Sequence, residues 1–144
     1  MSAASSYLER SVLDHTLKNS AFTQPSVLYV ALFTGTPAAN LQDGTLTAEV
    51  SSSGTAYARQ AITFSAASTT GSGLSAVTTA SNSATVTFPT ATASFGTITY
   101  VAIMDNATRG AGNVLFFGAV TTSKSIDTGD TFQITSGNLT IALA

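Results

Sequence analysis

ATVTFPTATASFGTITYVAIMD, residues 84–105, decides the fold. It reads as two strands joined by a loop. Ala84, Val86 and Phe88 alternate with Thr85 and Thr87, the period-2 pattern of a half-buried strand. Pro89 has no amide hydrogen for a ladder, so this strand ends there or lies at an edge. Gly96 opens a second run, residues 97–104, in which Ile98, Tyr100 and Ala102 point one way and Val101 and Ile103 the other. A strand apolar on both faces belongs at the centre of a fold, covered on two sides. The polar, glycine-rich turn DNATRGAGN follows, and then VLFFGAV, residues 114–120, again apolar on both faces. Two central strands therefore flank a hairpin-like connection.

Working outward, residues 27–34 (VLYVALFT) form a third two-sided strand, closed by Gly35-Thr36-Pro37. The long stretch that follows, a loop spanning about residues 35–55, carries turn signals at Asp43-Gly44 and at SSSG, residues 51–54. A structureless loop of this length is usually functional or ordered by a partner. Leu41, Leu46 and Val50 recur along it and are expected to lie on a neighbouring subunit. Residues 57–64 read as a strand with Ala58, Ile62 and Phe64 inward and Tyr57 and Arg59 on the other face. Residues 65–75 are expected to be loop, and 76–81 a short edge strand. The last forty or so residues read as a meander of short strands broken at 127–130 and 136–138. The pattern predicts one all-β domain over residues 1–144, an antiparallel β-sandwich of jelly-roll or immunoglobulin-like type. Its predicted core is Leu28, Val30, Leu32, Val86, Phe88, Ile98, Tyr100, Ile103, Leu115 and Phe117.

One short N-terminal α-helix, about residues 6–19, precedes the strands. Ser6 is its predicted N-cap, with Glu9 reaching back, and Asn19 takes the residue after the C-cap. Leu8 and Val12 share one side, and Leu13 and Leu17 an adjoining side. Three turns are marginal alone, so the helix must dock on the β core or on a neighbour. Its apolar residues cover more than a narrow stripe. Tyr7, Leu8, Val12, Leu13 and Leu17 are therefore the predicted interface, together with the three apolar loop residues.

Composition narrows the function. Charged residues make up 8% of the chain, against about 25% in ordinary globular domains. A polar but nearly uncharged surface suits close packing against identical neighbours. With a net charge of −2 and no Lys/Arg cluster, nucleic acid is not an expected partner. No run approaches a membrane span, and MSAASSYLER lacks the basic and apolar regions of a secretion signal. The expected place of synthesis is the cytoplasm of the producing cell.

Catalytic chemistry is not signalled either. Cysteine is absent and His15 is the only histidine. No G-x-S-x-G elbow or facing carboxylate pair occurs. Asp127-x-Gly129-Asp130 could bind a hard cation, but its residues are also those a tight turn requires, and it reads as a turn. Gly71-x-Gly73 and Gly110-Ala111-Gly112 do not lead from strand into helix, so they are not phosphate loops. No catalytic residue, metal site or cofactor is expected.

SSYLERSVLDHTLKN near the start, VLYVALFTGTP, AYARQAITF, SNSATVTFPTATASFGTITYVAIMD and LFFGAVTTSKSIDTGDTFQI with its Leu139–Leu143 close occur in that order along nearly the whole chain. Together they resemble a family of small tailed-bacteriophage virion proteins, commonly labelled tail-fibre or minor structural proteins. Some small β-sandwich virion proteins act instead as capsid decoration, or cement, subunits. The resemblance implies a non-enzymatic virion component. The leading expectation is a capsid cement homotrimer contacting the major capsid protein at local three-fold positions. The alternative is a tail-fibre, baseplate or adhesin module that binds a host glycan, and a cellular carbohydrate-binding domain comes third. Only Tyr7, Tyr57 and Tyr100 are candidate stacking aromatics and there is no Trp, which weighs against glycan binding.

Overall fold

A computed structural model describes residues 3–143. In chain order the elements are β1 (Ala3–Ala4), α1 (Ser6–Leu17), β2 (Leu28–Thr34), α2 (Ala38–Gln42), β3 (Gln60–Ile62), β4 (Ser68–Thr70), a 3-10 turn (Gly73–Ser75), β5 (Val77–Ser81), β6 (Val86–Thr87), β7 (Gly96–Met104), β8 (Val114–Ile126), β9 (Gln133–Ile134) and β10 (Thr140–Leu143). A five-stranded sheet, ordered β1-β8-β7-β2-β3, carries the architecture. Against it lie a three-stranded sheet, β10-β5-β4, and a β6-β9 pair. Every pairing is antiparallel. The fold is an all-β sandwich with a helix at its start, as the alternation predicted.

The three two-sided strands sit side by side at the middle of the large sheet because each has two cores to fill. On the face toward the small sheets, Val30 and Leu32 of β2, Ile98 and Ile103 of β7 and Leu115 of β8 join Phe88, Phe95, Ile126 and Tyr57. On the opposite face, Ala31, Phe33, Ala102, Met104, Val114 and Phe117 pack with Leu41 of α2. Eight of the ten predicted core residues are buried; Leu28 and Tyr100 are half-buried.

The segment after β2 departs from expectation. Residues 35–55 are not a loop awaiting a partner: they form α2 and fold back over their own sheet. Thr34 N–H donates to Ala48 O (3.1 Å) and Val50 N–H to Leu32 O (3.0 Å). Leu41 and Val50 are buried, and Leu46 packs half-buried on the second core. The apolar face of the central strands had to be covered, and this segment covers it from within.

Other differences are local. The N-cap is Ser5 rather than Ser6, because Ser5 also anchors the chain to β8: its N–H donates to Leu115 O (2.9 Å) and its hydroxyl to Val114 O. Ile98 shares a face with Ile103, not with Tyr100. Thr99 is an extra residue against β2, where Thr34 pairs Ile98 and Phe33 pairs Tyr100, and one inserted residue flips the alternation. Tyr57 and Arg59 point inward and Ala58 outward; Ala56, at φ 61°, turns the chain just before them. Residues 65–75 contain β4 and the 3-10 turn. β5 is the middle strand of its sheet, not an edge. The C-terminal strands are no meander, since β8, β9 and β10 each join a different sheet.

Candidate functional site

An exposed apolar helix face, an uncharged cleft and one buried polar brace stand out; the helix and the cleft are the two surface features. The first feature is α1. Only Leu8 of this helix is buried. Residues turn by about 100° each along a helix, which places Leu13 and Leu17 on the side away from Leu8. Leu13 is 56% exposed and Leu17 78% exposed. Val12 shares the Leu8 side yet is 47% exposed, so the C-terminal half of the helix overhangs the sheet it starts on. The polar residues of its last turns are used locally. Lys18 lies 3.5 Å from Asp14 one turn back, His15 Nδ1 is 3.1 Å from Ser20 O, and Asn19 takes the left-handed conformation at φ 55° that ends the helix. A helix that buries one leucine and shows Val12, Leu13, Leu17 and the half-exposed Tyr7 to solvent has its amphipathicity reversed relative to a simple lid.

The second feature is a cleft between β8 and the β10-β5 edge. One part, about 330 Å³, runs beneath Phe116, Val120, Phe132, Leu139 and Ile141. The adjoining part, about 230 Å³, is bounded by Leu28, Phe64, Leu115, Leu143 and again Phe116 and Ile141. Among the described residues no Asp, Glu, Lys or Arg lines either part. Leu28, Phe64, Phe116, Val120, Phe132 and Ile141 in the walls of the cleft are only partly buried.

The brace lies under the β7–β8 turn. Glu49 and Arg59 form a bidentate pair, with Nε to Oε1 at 2.7 Å and Nη2 to Oε2 at 2.8 Å, both side chains wholly buried. Tyr57 hydroxyl donates to Glu49 Oε1 (3.1 Å) and accepts from Leu32 N–H (3.0 Å). Gly110 N–H donates to Glu49 Oε2 (3.0 Å). Arg59 Nη1 donates to the carbonyls of Asn106 and Ala111, each at 2.8 Å. Arg109 reaches back to Val50 O (2.7 Å) and Glu49 O (2.9 Å). Burial, followed by the Glu49 charge, pushes the Tyr57 phenol well above its ordinary range. With its donors and acceptors all paired, the cluster fixes the turn; it offers no free base or nucleophile. Sequence reasoning missed it because its members come from three separate segments. The one local hint was a charged Arg59 inside a run that is otherwise uncharged and largely apolar.

Of the predicted interface residues, Tyr7, Val12, Leu13 and Leu17 are at the surface, whereas Leu8, Leu41, Leu46 and Val50 serve the subunit's own interior. The expectation that the last three lie on a neighbour is corrected accordingly. Of the candidate stacking aromatics, Tyr57 is buried and Tyr100 half-buried. Asp127–Asp130 forms the expected turn: Asp130 N–H donates to Asp127 O (2.9 Å) and Asp127 N–H to Asp130 Oδ2 (3.0 Å). Among the described residues no three His, Cys, Asp or Glu side chains are placed to hold a metal, and no helix is long and apolar enough to cross a membrane.

The family described as Podophage GP4 fiber I protein gp80 matches the chain over residues 3–142. No curated protein matches it.

Proposed function

Because the chain belongs to the Podophage GP4 fiber I protein gp80 family, and is thus a phage virion structural protein, we propose that it serves as a non-enzymatic subunit of a virion fibre. The observation that carries this reading is the extent of the match, residues 3–142, which takes in strands of all three sheets and α1. In this reading the subunit associates with copies of itself, as a homotrimer, and with adjoining virion proteins, and binds neither nucleic acid nor membrane. The exposed face of α1 and the uncharged cleft support self-association. The sparse exposed aromatics favour a structural part of the fibre over its glycan-reading tip.

Capsid decoration becomes the second reading. The low charge favours it still, but the apolar residues it assigned to contact with the shell, Leu41, Leu46 and Val50, pack within the subunit. A phage lacking the gene separates the two. We expect reduced adsorption to the host with heads of unchanged resistance to heat and osmotic shock. Normal adsorption with fragile heads would overturn the fibre reading and restore the decoration one.

A further inference from the structure

We infer that the overhanging half of α1 from one copy seats in the uncharged cleft of the next, so that subunits join by a ridge-in-groove contact between different surfaces. This inference rests on the homo-oligomeric reading above and specifies its geometry. Three observations carry it.

The first is a surplus of surface. A monomer of 14.6 kDa exposes about 6,900 Å² by the usual scaling of area with mass. This chain exposes 7870 Å². The excess, on the order of 1,000 Å², is close to the roughly 800 Å² that a standard interface covers on each partner.

The second is chemical complementarity. Among the described residues the large exposed apolar side chains are Tyr7, Val12, Leu13, Leu17, Val27, Leu74 and Leu143. Three of the seven, Val12, Leu13 and Leu17, stand on the overhanging half of α1, so a copy of this chain carries the kind of ridge the cleft would take. Among the described residues the cleft presents no charged side chain, which disfavours a phosphate-rich or strongly charged occupant. An amphipathic helix laying anchors about one turn apart into an apolar groove is a recurrent mode of recognition.

The third is that α1 cannot fill its own cleft. Ser5 fixes the start of the helix on the Val114–Leu115 backbone, Leu8 plugs the core beside it, and no α1 residue lines the cleft. Leu13 and Leu17 face away. A contact between two different patches on identical subunits is heterologous. It closes into a ring, such as a three-fold one, when the rotation allows, and otherwise propagates.

The chain has no cysteine, so introduced thiols report cleanly. Leu17→Cys on the ridge and Leu143→Cys at the rim of the cleft would be treated with a flexible bismaleimide. An equimolar mixture of the two single variants is expected to give covalent dimers, and the double variant higher species that stop at the size of the closed ring. Each single variant alone is expected to stay unlinked. Dimers from Leu17→Cys alone would mean that helices meet helices, and would overturn the proposal. Light scattering at micromolar concentration separates the two levels of inference. Oligomers without ridge-to-cleft cross-links would overturn this docking but leave self-association standing, whereas monomers would overturn both. As a further check, Leu13→Glu/Leu17→Glu is expected to weaken association by about tenfold or more with an unchanged circular dichroism spectrum. Undiminished association would refute the assignment.

Discussion

Replacing Arg59 by Met tests whether the buried brace holds the β7–β8 turn. The substitution keeps most of the aliphatic stem and removes the guanidinium. The Glu49 carboxylate loses its two Arg59 bonds, at 2.7 and 2.8 Å, and keeps only Tyr57 hydroxyl and Gly110 N–H. The carbonyls of Asn106 and Ala111 lose their shared donor. Breaking a buried ion pair from one side costs about 3–5 kcal/mol, chiefly because the other charge stays buried and uncompensated. Against a total of about 5–15 kcal/mol for a domain, R59M should lose about a fifth or more of the stability and lower the urea midpoint with an unchanged slope.

The companion variants Glu49→Gln and E49Q/R59M complete a cycle. If the penalty of each single change is mainly a stranded charge, the double variant strands none. It should then be more stable than the sum of the single losses implies, by about 2 kcal/mol, within the range of couplings measured for contacting residues. Hydrogen exchange should show the amide of Gly110 losing protection in all three variants, because each weakens or removes what holds the turn. Additive losses, or an R59M cost below about 1 kcal/mol, would refute the claim that this pair braces the turn.

Phe88→Ala should cost about 3–5 kcal/mol in urea unfolding, since the ring is buried and meets Tyr57 at 6.1 Å and Phe132 at 5.8 Å; a cost below about 1 kcal/mol would place it outside the core. Alkaline pH should destabilise the fold. The folded state holds the Tyr57 proton well above the ordinary phenol range, while the unfolded chain releases it near pH 10, so stability is full below about pH 10 and falls as pH rises from there, by up to about 1.4 kcal/mol per unit. Tyr57→Phe should flatten that slope, and equal slopes for the two proteins would exclude Tyr57 as its source.

The parts of the fold legible in the sequence are those whose neighbours leave a local imprint. β2, β7 and β8 are covered on both faces, and two-sided burial writes itself as an unbroken apolar run. Features set by partners distant in the chain left none. The bulge at Thr99 is fixed by the register of β2, and a one-residue slip has no signature in β7 alone. Ser5 and Ser6 are chemically equal as caps; docking on Val114 and Leu115 selects Ser5. Ala38, Leu41, Leu46 and Ala48 cover the second core from a five-residue helix and the chain beyond it, too short and too irregular for any period to emerge. Glu49 and Arg59 lie ten residues apart and meet only because the intervening chain reverses.

The helix was legible as a helix, but its direction of facing was not, and that direction bears on assembly. Fully burying a Val or Leu side chain contributes about 1.5–3 kcal/mol. Scaled by the exposure of Val12, Leu13 and Leu17, at 47%, 56% and 78%, one ridge can contribute about 3–5 kcal/mol, and the lining of the cleft adds a similar amount. Joining two subunits costs on the order of 4–15 kcal/mol in lost translation, rotation and ordering. A single ridge-in-groove contact therefore leaves a small net affinity. A closed trimer makes three such contacts for two losses of freedom, so closure shifts the balance toward the ring. The same heterologous contact left open would pass through a weakly held dimer and lengthen without limit. The reversed amphipathicity of α1 thus favours closed rings over isolated pairs, and the signature to expect is a direct passage from monomer to ring, with little dimer between, as concentration rises.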